Sequence, residues 1–306
     1  MTIAMIVLLG FPITVVAQPP SKPLRIAGYL PDYRFSAFDP VMAQGLTDLI
    51  VFSAELNEDG TADTSRLSNC PWPALQKLRK ESKTRLWIAI GGWDRSGHFA
   101  AVASSAEKRR RCVDSISKIV SELDLAGVDL DWEHPKDAKE EKAYGTLLRD
   151  LRAALEPKGR KLSVTIAGWQ KLNQEAIDSV DYVQIMAYDQ GGRHSTFEGS
   201  VKDVETQLKS GVPASKITLG VPFYGRNIKS RDAMTYGEIV SRFDPAPKVD
   251  ESGGIYFNGT ATLRKKVNYA HDHGLSGIMI WEIGQDASGQ KSLLKSIREE
   301  ATKLSR

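Results

Sequence analysis

Residues 127–133 read Gly-Val-Asp-Leu-Asp-Trp-Glu. Val128, Leu130 and Trp132 alternate with Asp129, Asp131 and Glu133, the two-residue period of a β-strand. One edge of this strand is apolar and the other carries three carboxyls. Helices packed outside the strand bury the apolar edge. The acids then turn inward, to the mouth of whatever the sheet encloses.

Working outward, short apolar runs recur on both sides of this stretch. With it they give eight strand candidates: Arg25–Leu30, Leu49–Ala54, Arg85–Ile90, Gly127–Trp132, Leu162–Ala167, Tyr182–Ala187, Ile217–Phe223 and Gly277–Ile283. Most are continuously apolar, as strands covered on both faces of a parallel sheet are. Helical patterns separate them. Leu147, Leu148, Leu151 and Leu155 share one helical face, and so do Val113, Ile116, Val120 and Leu123. Eight βα units predict a single-domain (β/α)8 TIM barrel. An open doubly wound sheet would carry Gly-x-Gly-x-x-Gly after its first strand, and none is present.

In such a barrel the site lies at the carboxyl ends of the strands. The fourth strand places Asp129, Asp131 and Glu133 there, successive members roughly 6.5–7 Å apart. Like charges at that spacing resist joint ionisation, so one carboxyl is expected to keep its proton and serve as a general acid. An oxygen-only cluster also suits Mg²⁺ or Ca²⁺. The other strand ends favour catalysis, because aromatic rings recur at them: Tyr29, Trp93, Tyr188, Tyr224 and Trp281. Rings around acids suit the flat apolar faces of sugars. No metal and no cofactor is expected.

The chain resembles the family 18 glycoside hydrolases, the chitinase-like barrels. The family motif Asp-Gly-x-Asp-x-Asp-x-Glu appears as Ala126 to Glu133. Met-x-Tyr-Asp appears as Met186 to Asp189, Gly-x-Pro-Phe-Tyr-Gly-Arg as Gly220 to Arg226, and the strand-eight Trp as Trp281. The resemblance covers essentially the whole chain after the first residues. It implies retaining hydrolysis of β-1,4-linked N-acetylglucosamine polymers in which the substrate's own acetamido group is the nucleophile. By that resemblance Glu133 is the acid and base, and Asp131 holds the acetamido N–H. Asp129 backs Asp131, and Tyr188 bonds the acetamido carbonyl. Trp281 floors the sugar with Met186 and Asp189 beside it, and Tyr29, Trp93, Tyr224 and Arg226 are outer contacts. A lectin-like barrel that binds without cleaving, and an enzyme acting on N-glycans or peptidoglycan, are the alternatives.

Three positions depart from the family pattern. The first motif Asp is Ala126, at the strand's start. A Ser two residues before the glycine pair is Ala89, so Asp129 is expected to have one donor fewer and its pair with Asp131 to hold a proton more tightly. The Tyr that often follows the acid is His134, read as a packed ring or a proton shuttle.

The charge balance, 41 Lys and Arg against 38 Asp and Glu, gives no concentrated basic face, and no nucleic-acid partner is expected. Residues 1–17 are uncharged and nearly all apolar, too short to span a bilayer. They read as a signal peptide lacking a basic start, with an anchoring helix as the alternative. A Pro-rich lead-in follows at 18–23, and the barrel at 24–306. The expected protein is secreted or periplasmic, without a membrane span once the leader is cleaved, and monomeric. Cys70 and Cys112 are read either as a bridge or as two buried thiols. His271-Asp272-His273 reads as a helix end, not a metal clip. The stretch 224–276 is too short for the full α+β insertion that many relatives carry, so an open cleft is expected.

Overall fold

The computed structural model describes residues 23–305. The leader, and all of the lead-in but Pro23, lie outside the described residues. Eight parallel strands form the barrel: β1 (Arg25–Pro31), β2 (Asp48–Leu56), β3 (Arg85–Gly91), β4 (Gly127–Asp131), β5 (Lys161–Ala167), β6 (Tyr182–Met186), β7 (Ile217–Pro222) and β8 (Gly277–Trp281). Each pairs with its neighbours in sequence, and β1 pairs with both β2 and β8, which closes the sheet. All eight expected strands are present in the expected order.

The residues sort themselves to two sides of this wall. Val128, Leu130 and Trp132 join the large outer cluster, with Leu147, Leu148, Leu151 and Leu155 of the helix Ala138–Leu155. Trp132 stacks on Phe99 at 5.5 Å and meets Tyr144 edge-on at 5.2 Å. Burying an aromatic side chain of this kind stabilises by about 1.5–3 kcal/mol, so the apolar edge of β4 is firmly committed outward. The inner cluster is smaller and includes Tyr29, Phe52, Trp87, Tyr188 and Met279.

The barrel interior also holds a polar column. At its foot Asp48 is fully buried and accepts from Arg25 Nε at 3.1 Å and Arg85 at 2.8 Å. These guanidiniums hold the Asp48 carboxyl below its usual range against the upward push of burial. Arg25 reaches up to Gln184 Oε1 at 2.9 Å, and Gln184 Nε2 donates to Asp129 Oδ1 at 2.9 Å. A continuous hydrogen-bonded path thus rises from the barrel floor to the acids of β4.

Between β7 and β8 the chain forms four short antiparallel strands, Tyr224–Asn227, Ala233–Thr235, Glu251–Ser252 and Ile255–Tyr256, with a helix at Tyr236–Phe243. This is a miniature α+β unit, not a full insertion. Cys70 and Cys112 are buried free thiols, each pushed up to about 12 by desolvation. His273 caps its helix, Nδ1 lying 2.9 Å from the Tyr269 carbonyl. Among the described residues no helix is long and apolar enough to cross a membrane.

Candidate active site

Asp129 lies at the bottom of the site, fully buried, in register between Ala89 of β3 and Ser163 of β5. Its Oδ1 accepts from Ser163 Oγ at 2.5 Å and Gln184 Nε2 at 2.9 Å. Its Oδ2 accepts from Tyr29 Oη at 2.7 Å and Thr165 Oγ1 at 2.9 Å. The expectation of a donor shortage at Asp129 is therefore corrected. Ala89 supplies nothing, but donors from β1, β5 and β6 fill both oxygens. A cation here would have to displace them.

Asp131 stands one step higher on the same edge. It is 3% exposed, and its Oδ1 is buried without a hydrogen-bond partner. Desolvation, then the charges of Glu133 and Asp129, push its carboxyl well above the usual range. Such an atom is costly unless a ligand meets it.

Glu133 crowns the strand. Burial, with the charges of Asp189 and Asp94, pushes it up to about 7, although the Trp93 backbone N–H favours its ionised form. The strand end is held by a close approach of two backbones. Gly91 (φ +99°) leaves no room for a side chain, since a Cβ there would lie 2.3 Å from the Asp131 carbonyl oxygen. Gly92 N donates to that carbonyl at 2.7 Å, and Ser96 Oγ donates to it at 3.1 Å. Ser96 Oγ also accepts from Glu133 N at 3.1 Å.

A cleft of about 620 Å³ opens above these acids. Asp131, Glu133, Tyr188, Met186, Asp189, Tyr29, Trp93, Arg226 and Trp281 all line it. Trp281 meets Tyr29 at 5.4 Å and Phe52 edge-on at 4.7 Å. Tyr188 is nearly buried, and burial together with the neighbouring Tyr224 and Asp131 keeps its phenol protonated. Asp189 adopts a left-handed backbone (φ +61°) and pairs with Arg226. Burial pushes its carboxyl up, but the nearby His194 ring, with Nδ1 3.7 Å from Oδ1, and the Arg226 guanidinium that donates to it outweigh this and hold it well below the usual range.

Two expected residues do not reach the cleft. Asp129 lies beneath Asp131, as its supporting role requires. Tyr224, expected as an outer contact, is 5% exposed and packed behind Asp189, with its ring 5.1 Å from that of His194. Tyr29 is also no outer contact. It forms the floor, with its hydroxyl turned down onto Asp129.

The sequence reading missed Trp169 and Tyr33. Both line the cleft, 66% and 56% exposed, and with Trp93 at 70% they make up three of the four exposed large hydrophobic residues among the described residues. Each lies two residues past a strand, Trp169 after Ala167 and Tyr33 after Pro31. Like Trp93 after Gly91, they stand in the first residues beyond a strand end, the position that carries their signal.

The chain matches the family described as glycosyl hydrolases family 18 over residues 25–286. It is similar to Chitinase 1 of Aphanocladium album, 28% identical, with 72% of this chain and 67% of that protein covered. It is 26% identical to a class V chitinase of Arabidopsis thaliana, covering 98% of this chain and 96% of that one. Against Endochitinase 1 of Metarhizium robertsii the chain spans 65% of the relative's length. Among solved structures, the GH18 chitinase ChiB of Flavobacterium johnsoniae superposes with a TM-score of 0.83 at 31% identity, covering 93% of this chain and 96% of that one. The closed barrel, the acids of β4 and the match over residues 25–286 agree: the chain belongs to glycosyl hydrolases family 18.

Proposed function

We propose that this protein cleaves β-1,4-linked N-acetylglucosamine chains with retention, using the substrate's acetamido group as nucleophile. The observation that carries this reading is the pairing of Glu133 at the cleft surface, whose carboxyl is pushed up to about 7 by burial and nearby acids, with the unpartnered Oδ1 of Asp131 beneath it.

Glu133 gives its proton to the glycosidic oxygen as the bond from that oxygen to C1 breaks. The acetamido oxygen forms the new bond to C1, which yields an oxazolinium ion. Asp131 Oδ1 accepts the acetamido N–H and offsets the positive charge that develops. Tyr188 donates to the acetamido oxygen, and Trp281 carries the ring. Glu133, now a carboxylate, takes a proton from water as the water opens the oxazolinium. No second carboxylate nucleophile is required.

The cleft also supports action within a chain. Trp93 after β3 and Trp169 after β5 stand on either side of β4, and Tyr33 lies after β1. Platforms spread over this width suit several sugars at once. The described relatives named chitinases, one of them from a chitin utilization locus, support the substrate class. The uncharged apolar run at 1–17 supports export.

Purified protein incubated with N-acetylglucosamine pentamer and hexamer, beside Glu133→Gln, tests the reading. Internal cleavage products of retained anomeric configuration are expected from the parent protein and not from the variant. Tight binding without turnover would instead favour a lectin-like barrel.

A further inference from the structure

Two arginines of the short insertion grip the turn that follows β6. Arg226 donates to the Asp189 carboxylate, and its Nη1 donates to the Arg231 carbonyl at 3.0 Å. Arg231 reaches back to the same turn with its side chain. Its Nη2 donates to the Gln190 carbonyl at 2.7 Å and to the Asp189 carbonyl at 3.4 Å, and its Nη1 donates to the Gly192 carbonyl at 2.9 Å. A guanidinium has donors alone and a main-chain carbonyl accepts alone, so the direction of each bond is fixed.

The turn needs such a hold. Asp189 keeps a left-handed backbone (φ +61°), which a residue other than glycine sustains where its surroundings impose it. A Cβ at Gly191 or Gly192 would meet nothing within 4 Å, so this part of the turn gains little from packing. Gln190 Nε2 donates to Asp203 at 2.7 Å, and Arg193 pairs with Glu251 at 2.7 Å. Those contacts hold the turn beyond Asp189, whereas Arg231 reaches the carbonyls of Asp189 and of the residue after it. Arg231 is itself seated in a built hairpin turn. Its N–H donates to the Asn227 carbonyl at 3.0 Å, and Asn227 Oδ1 accepts from the N–H groups of Lys229 and Ser230 at 2.9 and 3.0 Å.

We propose that Arg231 is a positioning residue for Asp189: its guanidinium holds the turn after β6 by its carbonyls and so keeps the Asp189 carboxylate in the cleft with Glu133. This rests on the reading of Glu133 as the acid. After burial, the Asp189 charge is the leading influence that favours the protonated form of Glu133. A carboxylate free to swing toward solvent would lose that influence. The other ionisable groups facing Glu133 are Asp131 on its own strand, Asp94 after β3 and the His134 ring, 3.6 Å away. Those facing Asp189 are Arg226, the His194 ring and the Tyr224 phenol.

The test compares Arg231→Met with the parent protein. Met keeps an unbranched apolar stem and removes every donor. Arg231 is half-buried on a hairpin, so urea midpoints of the two proteins are expected to agree. The basic midpoint of kcat/KM, which reports the free enzyme, is expected to fall by about 0.5, roughly threefold in the ratio of protonated to ionised acid. The sign is diagnostic. Loss of a positive charge alone would raise the midpoint, and release of Asp189 lowers it. In an Asp189→Asn background, Arg231→Met is expected to add no further shift.

A second measurement needs no turnover. In protein labelled with ¹³C at the glutamate carboxyls, the Glu133 resonance is identified by its loss in Glu133→Gln. Its titration midpoint is expected to fall in Arg231→Met by the same amount. A midpoint unchanged or raised in Arg231→Met would overturn the proposal, and so would a fall that persists in the Asp189→Asn background. If the parent protein cleaves no substrate, the reading of function fails, and the carboxyl titration still decides whether Arg231 acts through Asp189.

Discussion

Asp129 and Asp131 sit two residues apart on one strand edge with opposite hydrogen-bond fates. The lower acid has four donors on its two oxygens, and the upper has a buried Oδ1 with none. This asymmetry separates their roles. The lower carboxylate is paid for by protein groups, whereas the upper one awaits a donor from outside. An acetamido N–H is a donor of the right kind. Asp131→Asn keeps the shape but removes the capacity to offset positive charge. Loss of such electrostatic stabilisation costs on the order of 10²–10³ in kcat. KM is expected to change far less, and steady-state kinetics on a chromogenic chitobioside would check the split.

The four donors also fix what Ala89 means. Since both Asp129 oxygens are occupied, restoring a hydroxyl by Ala89→Ser is expected to change kcat less than about threefold, well under the effect of removing a needed donor. Ser163→Ala strips Oδ1 of its shortest partner and is expected to lower stability by about 1–3 kcal/mol. Urea unfolding of the two variants reads the contrast. A large gain of activity in Ala89→Ser would show that the donor count misjudges the site.

Glu133 sets the basic side of the pH profile. It must be protonated to act as the acid, and burial with the nearby acids pushes it up to about 7. Activity measured as kcat/KM is therefore expected to fall tenfold per pH unit above that value. Because Glu133 and Asp131 titrate together, the midpoint belongs to the pair. A profile still flat at pH 9 would remove Glu133 from the role of acid.

Trp169 carries a prediction about chain length. It is exposed, yet it lines the cleft beside His134. An aromatic platform under a sugar is worth roughly 0.5–1.5 kcal/mol beyond the area it covers. Trp169→Ala is expected to raise KM about tenfold for hexamer and little for the shortest substrate that is cleaved. Equal loss on both would assign the ring to structure.

How the chain encodes this site differs from strand to strand. The eight strands were legible because most are continuous apolar runs, which can only be buried on both faces, and because β4 alternates apolar and acidic residues. Their ends were less so. β4 stops at Asp131, β6 at Met186 and β8 at Trp281, because the backbone turns into the mouth while the side chains are still apolar. The acids and Trp281 were legible from alternation and motif. The polar column was not. Arg25 and Asp48 sit at strand starts, where the hydrophobic pattern predicts only flank residues, Gln184 interrupts the middle of an apolar strand, and their partners are 23 and 159 residues away. Trp169 and Tyr33 lie in connections with no period to read. The small sheet at 224–256 contains strands of two residues, below the length at which alternation is a signal.

Lys266 tests the same physics away from the site. It is fully buried and donates to Ser195 O at 3.0 Å, Ser195 Oγ at 2.8 Å and Asn258 Oδ1 at 2.7 Å. Burial outweighs the attraction of Asp250, Asp203 and Glu198 and pushes the amine down to about 7. In the unfolded chain it returns to about 10.4. Between those values the unfolded state binds the extra proton, so the contribution of Lys266 to stability rises with pH from about 7 to about 10. Below 7 both states are protonated, and the full cost of burying the charge remains. The unfolding free energy of the parent protein relative to Lys266→Met is therefore expected to grow across that window by a few kcal/mol, an order-of-magnitude figure. Urea midpoints for both proteins at pH 7, 8, 9 and 10 measure it, and a pH-independent difference would show that the buried amine stays charged, held by its three acceptors.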